Sequence, residues 1–204
     1  VHDRGWVYLF PNFRGVNRTP QACGSALAQQ DILDAMAWVI AHHSIDGDRI
    51  YLTGTSGGGH MTMLMAARYP VHWKAASAWV GISDLAAWHA HHPDSKYGNM
   101  MEQCCGGAPG DSSEVDAQYK TRSPITYLSG ARNVALDISA GIRDGHKGSV
   151  PIRHSIDAFN AIAKARGDQV VTAAEIEQLS LPGQLKQAKS GDQGFDRGDA
   201  GAAL

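Results

Sequence analysis

Ser56 is the residue best placed for covalent chemistry, because it stands in Gly54-Thr55-Ser56-Gly57-Gly58, which fits the pattern G-x-S-x-G. A serine hydroxyl attacks a carbonyl only when a turn exposes it and a base takes its proton. The pattern supplies the turn: a sharp strand-to-helix bend strains the serine backbone and presents the hydroxyl. Small residues at Gly54, Gly57 and Gly58 let the neighbouring backbones approach. The backbone N–H of Gly57 then heads a helix and points at a developing oxyanion, helped by the positive end of the helix dipole. A glycine-rich turn can instead cradle phosphate. Here no lysine follows Gly59, as a Walker loop would need, and glycines at 54, 57, 58 and 59 miss the spacing G-x-G-x-x-G.

The other reactive side chains read more blandly. His89, His91 and His92 lie too close together in sequence to converge on one ion from a helix, and no Asp, Glu or Cys pattern completes a metal site, so they are expected as surface polarity on a short helix. His42 and His43 close a helix where positive charge suits the dipole. His60 falls on an apolar stretch and is expected to be a hydrogen-bonded structural residue. Cys23, Cys104 and Cys105 are badly spaced for zinc, and either a disulfide from Cys23 to one of the other two or three semi-buried thiols fits them.

Positioning Ser56 requires a strand before it and a helix after it, and the pattern predicts both. Residues 49–53 (Arg-Ile-Tyr-Leu-Thr) read as a strand, and residues 61–68 as a helix with hardly a polar face. Residues 5–10 (Gly-Trp-Val-Tyr-Leu-Phe) read as an earlier strand buried on both faces, and residues 25–42 as an amphipathic covering helix. Strand, helix, strand in that order implies a parallel sheet. Residues 74–80 and 134–139 are expected as further strands, and residues 155–166 as a further helix. Residues 84–124, rich in His, Gly, Pro, Ser and Asp, read as a cap-like excursion above the sheet. One domain is expected over residues 1–180, followed by a polar, frayed tail over 181–204.

Composition excludes some classes. With 18 basic and 20 acidic residues the formal charge is −2, which suggests no nucleic-acid partner. Hydrophobic residues at 43% and charged residues at 19% suit a folded body. No apolar run approaches the roughly 18 residues of a membrane span, so no membrane partner is expected. The chain opens at Val1 almost directly into a strand-like stretch, as though an upstream part were missing, which leaves compartment open.

Several segments together resemble the catalytic domain of the prolyl oligopeptidase family, the S9 serine peptidases, and its esterase relatives. Asn12-Phe13-Arg14-Gly15 is similar to the family's N-Y-R-G, with Phe13 in place of tyrosine and hence without that hydroxyl. Asp31 and Trp38 follow as in the family's next helix, and residues 54–59 resemble G-x-S-x-G-G. Ser123-Pro124, and Asp144 followed by Val150-Pro151, resemble S-P and D-x-x-V-P with three extra loop residues. The resemblance implies a three-layer α/β-hydrolase fold with a mostly parallel sheet and helices on both faces, incomplete at both termini.

It also implies a triad in the order Ser, acid, His. Asp144, in a turn just past a strand, is the expected acid, although such an aspartate can equally cap its own turn. Asp137, within that strand, is the second choice. No histidine follows His154, and neither His146 nor His154 is well placed, so the base is expected beyond Leu204 and a second oxyanion donor before Val1. The implied activity is acyl transfer through Ser56 without a cofactor or metal, on a peptide or an ester. A segment with no base of its own also fits a non-catalytic binding module of the same fold.

Overall fold

The computed structural model describes residues 3, 5–141, 143–145 and 148–180. The expected tail over 181–204, and His146, lie outside the described residues. Within them, β1 (Tyr51–Thr55), β2 (Ala75–Trp79) and β3 (Ala135–Ser139) form a parallel sheet in the order β1-β2-β3. Tyr51, Ala75 and Ala135 stand side by side at one end, and Thr55, Trp79 and Ser139 at the other.

The two-residue period of a strand gives each face its own character. Leu52, Ala76, Ala78, Leu136 and Ile138 point to one side and meet the helices α1 (Ala26–His42), α2 (Gly57–Arg68) and α6 (Arg153–Arg166). From α1, Ile32, Leu33 and Met36 pack on Met61, Leu64 and Met65 of α2. From α6, Ala158 and Ile162 pack on Met63 and Ala67. Helix α2 therefore lies between the sheet and its neighbours, and every residue from Gly59 to Ala67 is buried, as its nearly all-apolar sequence demands. On the opposite face Asp137 accepts hydrogen bonds from Ser77 Oγ at 2.8 Å and Ser139 Oγ at 3.3 Å. The second helical layer of a three-layer fold is not among the described residues.

Residues 5–10 correct the sequence reading, because they do not join the sheet. Strand propensity expresses itself only where a neighbouring strand takes up the backbone hydrogen bonds. Here Trp6 instead stacks on Tyr51, with ring centroids 6.0 Å apart, and Val7, Tyr8 and Phe10 remain more than half exposed.

Between β2 and β3 the chain makes α3 (Leu85–His91), α4 (Lys96–Cys105) and α5 (Ser113–Arg122). Each starts on a polar cap: Asp84 accepts from the N–H groups of Ala86 and Ala87, Ser95 from Tyr97, and Ser112 from Val115. Their inner sides form a small core of Ile82, Leu85, Trp88, Met101, Cys104, Cys105, Val115 and Tyr119, closed by Val150 from beyond β3. A last helix, α7 (Ala173–Ser180), begins on a reciprocal cap between Thr172 and Glu175.

Candidate active site

Ser56 lies at the junction of β1 and α2 with φ 55° and ψ −117°, a region that costs a residue bearing Cβ about 1–3 kcal/mol. Two backbone bonds hold it there. Its N–H donates to the Trp79 carbonyl of β2 at 2.8 Å, and its carbonyl accepts from His60 N–H at 2.9 Å. The side chain makes no capping bond to α2, and the residue is exposed.

The glycines around it differ in what they do. A Cβ on Gly54 would fall 2.4 Å from the Gly58 carbonyl group, and one on Gly59 would fall 2.7 Å from the Trp79 carbonyl oxygen. These positions tolerate nothing larger. Gly58, by contrast, has open space where a side chain would go. Its backbone is what presses on Gly54, so the expected need for a small residue belongs to Gly54 and Gly59. Gly57 begins α2, where helical geometry leaves N–H groups without an intrahelical acceptor. A Cβ there would lie 3.9 Å from Asn17 Nδ2.

Asp144 sits in the turn after β3. β3 runs parallel to β1 two strand spacings, or roughly 10 Å, away, so it ends on the same edge of the sheet as the β1 end that carries Ser56. Asp144 Oδ2 accepts from Gly141 N–H at 2.6 Å, and its own N–H donates to the Gly141 carbonyl at 3.0 Å, so the carboxylate also ties its own turn. Trp88 Nε1 of α3 donates to the Ser149 carbonyl at 2.7 Å, and Nε2 of His92, just past the end of α3, reaches the same oxygen at 2.5 Å. The excursion helices thereby fasten the loop that carries Asp144. Asp137, the second choice, points to the open sheet face and is occupied by Ser77 and Ser139.

The described histidines have other partners. His60 is buried, its Nε2 donates to the Arg122 carbonyl at 2.8 Å, and burial pushes its pKa down to about 4. His154 is buried as well, with its pKa pushed down to about 4 by desolvation. Its Nδ1 accepts from Asp84 N–H at 3.4 Å, which fixes the tautomer. Neither ring is bonded to Ser56. His89 corrects the expectation of surface polarity: it is buried and pairs with Glu102 at 2.7 Å. All three cysteines are free thiols here. The neighbouring Cys104 and, after it, burial hold the Cys23 thiol well above the usual range.

Arg122 is the functional support that sequence patterns did not mark. It is 5% exposed, and its guanidinium donates to three carbonyls of the loop before α1: Pro20 at 2.7 Å, Ala22 at 2.7 Å and Cys23 at 3.3 Å. Its backbone carbonyl meanwhile accepts from His60, one turn along the helix from Ser56. Arg14 and Asp31, two residues of the family-like segments, pair at 2.8 Å across the same region.

A family model described as the prolyl oligopeptidase family matches residues 1–177. The chain belongs to that family. It is 27% identical over 155 residues to "Uncharacterized peptidase YtmA" of Bacillus subtilis, covering 75% of this chain and 56% of that protein. It is 35% identical over 149 residues to feruloyl esterase B of Neurospora crassa, covering 60% and 50%. The chain thus spans about half the length of these curated relatives. Among solved structures, the Pyrococcus horikoshii acylaminoacyl peptidase superposes with a TM-score of 0.61 at 21% identity, over 78% of this chain and 23% of that one. This likeness shows the α/β-hydrolase fold. No helix among the described residues is long and apolar enough to cross a membrane.

Proposed function

We propose that the chain carries the nucleophile and acid of a serine hydrolase of the prolyl oligopeptidase family. The observation that carries this is the exposed Ser56 held at positive φ between a parallel strand and a buried helix. In this reading Ser56 Oγ attacks a carbonyl carbon and its proton passes to a histidine outside the described residues. The Gly57 N–H stabilises the oxyanion. The tetrahedral intermediate expels an amine or alcohol protonated by that histidine, and water then hydrolyses the acyl-Ser56. Asp144 orients the histidine, and Gly54 and Gly58 shape the turn. Residues 84–124 form a cap over the site, and residues 1–180 one catalytic domain.

Peptide bonds are the first substrate class, in keeping with the peptidase YtmA and the acylaminoacyl peptidase likeness. Esters are the second, favoured by the feruloyl esterase similarity. The test is covalent labelling of the full native polypeptide with a fluorophosphonate probe. Wild-type protein is labelled on Ser56 and Ser56→Ala is not; equal labelling of the two rejects the nucleophile. Rates on matched acyl-amide and acyl-ester substrates then separate the two classes.

A further inference from the structure

We propose that Trp88 and His92 are positioning residues for Asp144: through the Ser149 carbonyl they hold the backbone against which its turn rests. The inference rests on Asp144 being the triad acid. Such an acid works by keeping the histidine in one orientation, so a displacement of about 1 Å costs on the order of 10²-fold in rate. On one side Asp144 is tied to Gly141 by its own turn. On the other stand residues 148–151. A Cβ on Gly148 would lie 3.4 Å from Asp144 Oδ1, and one on Gly145, at φ 83°, would fall 2.6 Å from Pro151 Cα. Gly145 follows Asp144 directly, so movement of this backbone is passed to the acid.

What fixes residues 148–151 comes from the excursion. Val150 is 2% exposed and closes the small core that contains Trp88. Apolar docking sets how deep the segment lies; the rotation of its peptides needs directional bonds. The Ser149 carbonyl receives two of them, from Trp88 Nε1 at 2.7 Å and His92 Nε2 at 2.5 Å, one for each lone pair. Because a carbonyl only accepts, His92 carries a proton on Nε2. Both donors are themselves aimed. The Trp88 ring lies 5.6 Å from that of His92 and 5.1 Å from that of Tyr97, and the His92 and Tyr97 rings are 5.3 Å apart, so the three brace one another. The His92 backbone is held as well, its N–H donating to the His89 carbonyl at 2.8 Å and its carbonyl accepting from Ser95 Oγ at 3.1 Å.

Phenylalanine at either position keeps an aromatic ring and removes the donor, whereas His92→Gln keeps an N–H at the reach of Nε2. Hydrolysis of p-nitrophenyl acetate by the full native polypeptide is measured for wild type, His92→Phe, His92→Gln and the double variant Trp88→Phe/His92→Phe. Asp144→Asn is measured alone and combined with the double variant. The double variant is expected to lower kcat about 10–10²-fold with KM within about threefold. His92→Phe loses less, because Trp88 still donates, and His92→Gln restores the wild-type rate. On the Asp144→Asn background the same two changes lower kcat by less than about twofold, since the group they position is already gone. An equal fold-loss on both backgrounds, or a double-variant kcat within about threefold of wild type, overturns the positioning role and leaves Asp144 standing. Should the double variant fail to fold, equal kcat for His92→Phe and His92→Gln overturns it. Wild-type activity in Asp144→Asn overturns the acid and the positioning role together.

Discussion

At the scale of single residues, Ser56 holds an unfavourable backbone conformation that only its neighbours enforce. Ser56→Gly is expected to raise stability by about 1 kcal/mol, because glycine accepts φ 55° without the strain of a Cβ. Ser56→Ala is expected to leave it nearly unchanged. Both lose probe labelling, and urea unfolding midpoints distinguish them. His60 and His154 give a second residue-level prediction. Their folded pKa values, about 4, lie below the 6.5 of a free histidine. Between these values the unfolded chain takes up protons that the folded chain refuses. Stability is therefore full above about pH 6.5 and falls toward pH 4, by about 1.4 kcal/mol per pH unit for each ring. Unfolding at pH 7, 6 and 5 measures that slope, and His60→Gln should roughly halve it.

At the scale of elements, the bend between β1 and α2 depends on which glycine faces backbone. Gly54→Ala drives a methyl into Gly58 and should cost about 3 kcal/mol as well as displacing Ser56. Gly58→Ala adds a methyl to open space in a helix and should gain about 0.5–1 kcal/mol. Thermal unfolding of the pair checks both signs. Period and pattern made β1, β2, β3, α1, α2 and α6 legible within a few residues, because their burial is regular. They failed on residues 5–10, where apolar β-favouring side chains predict a strand that forms only with a partner. They passed over α7, although Thr172-Ala-Ala-Glu175 is a capping box. They give short helical pieces within the 84–124 excursion but not their starts, where Asp84, Ser95 and Ser112 each cap a helix. Ser56 and its turn were legible because the motif is local. Arg122 was not, because its significance arises from contacts across the fold, about 100 positions from the loop of residues 20–23.

At the scale of the whole molecule, the buried guanidinium of Arg122 ties the last excursion helix to the loop before α1. Arg122→Ala leaves three loop carbonyls without their donor, and should destabilise the chain by about 3–5 kcal/mol. Hydrogen exchange at the Cys23 amide should accelerate along with the global loss. Arg122→Lys retains the charge without the planar fork, and should recover only part of the stability.

The exposed rings and aliphatic chains of Trp6, Val7, Tyr8, Leu9 and Phe10, with Trp6 stacked on Tyr51, make a greasy ledge. Such a ledge is adhesive in water. Handled as this 204-residue polypeptide, the protein should bind an environment-sensitive fluorophore while still native and lengthen its sedimentation profile as concentration rises. Charged replacements at Val7 and Leu9 should suppress both signals without disturbing the bend that holds Ser56.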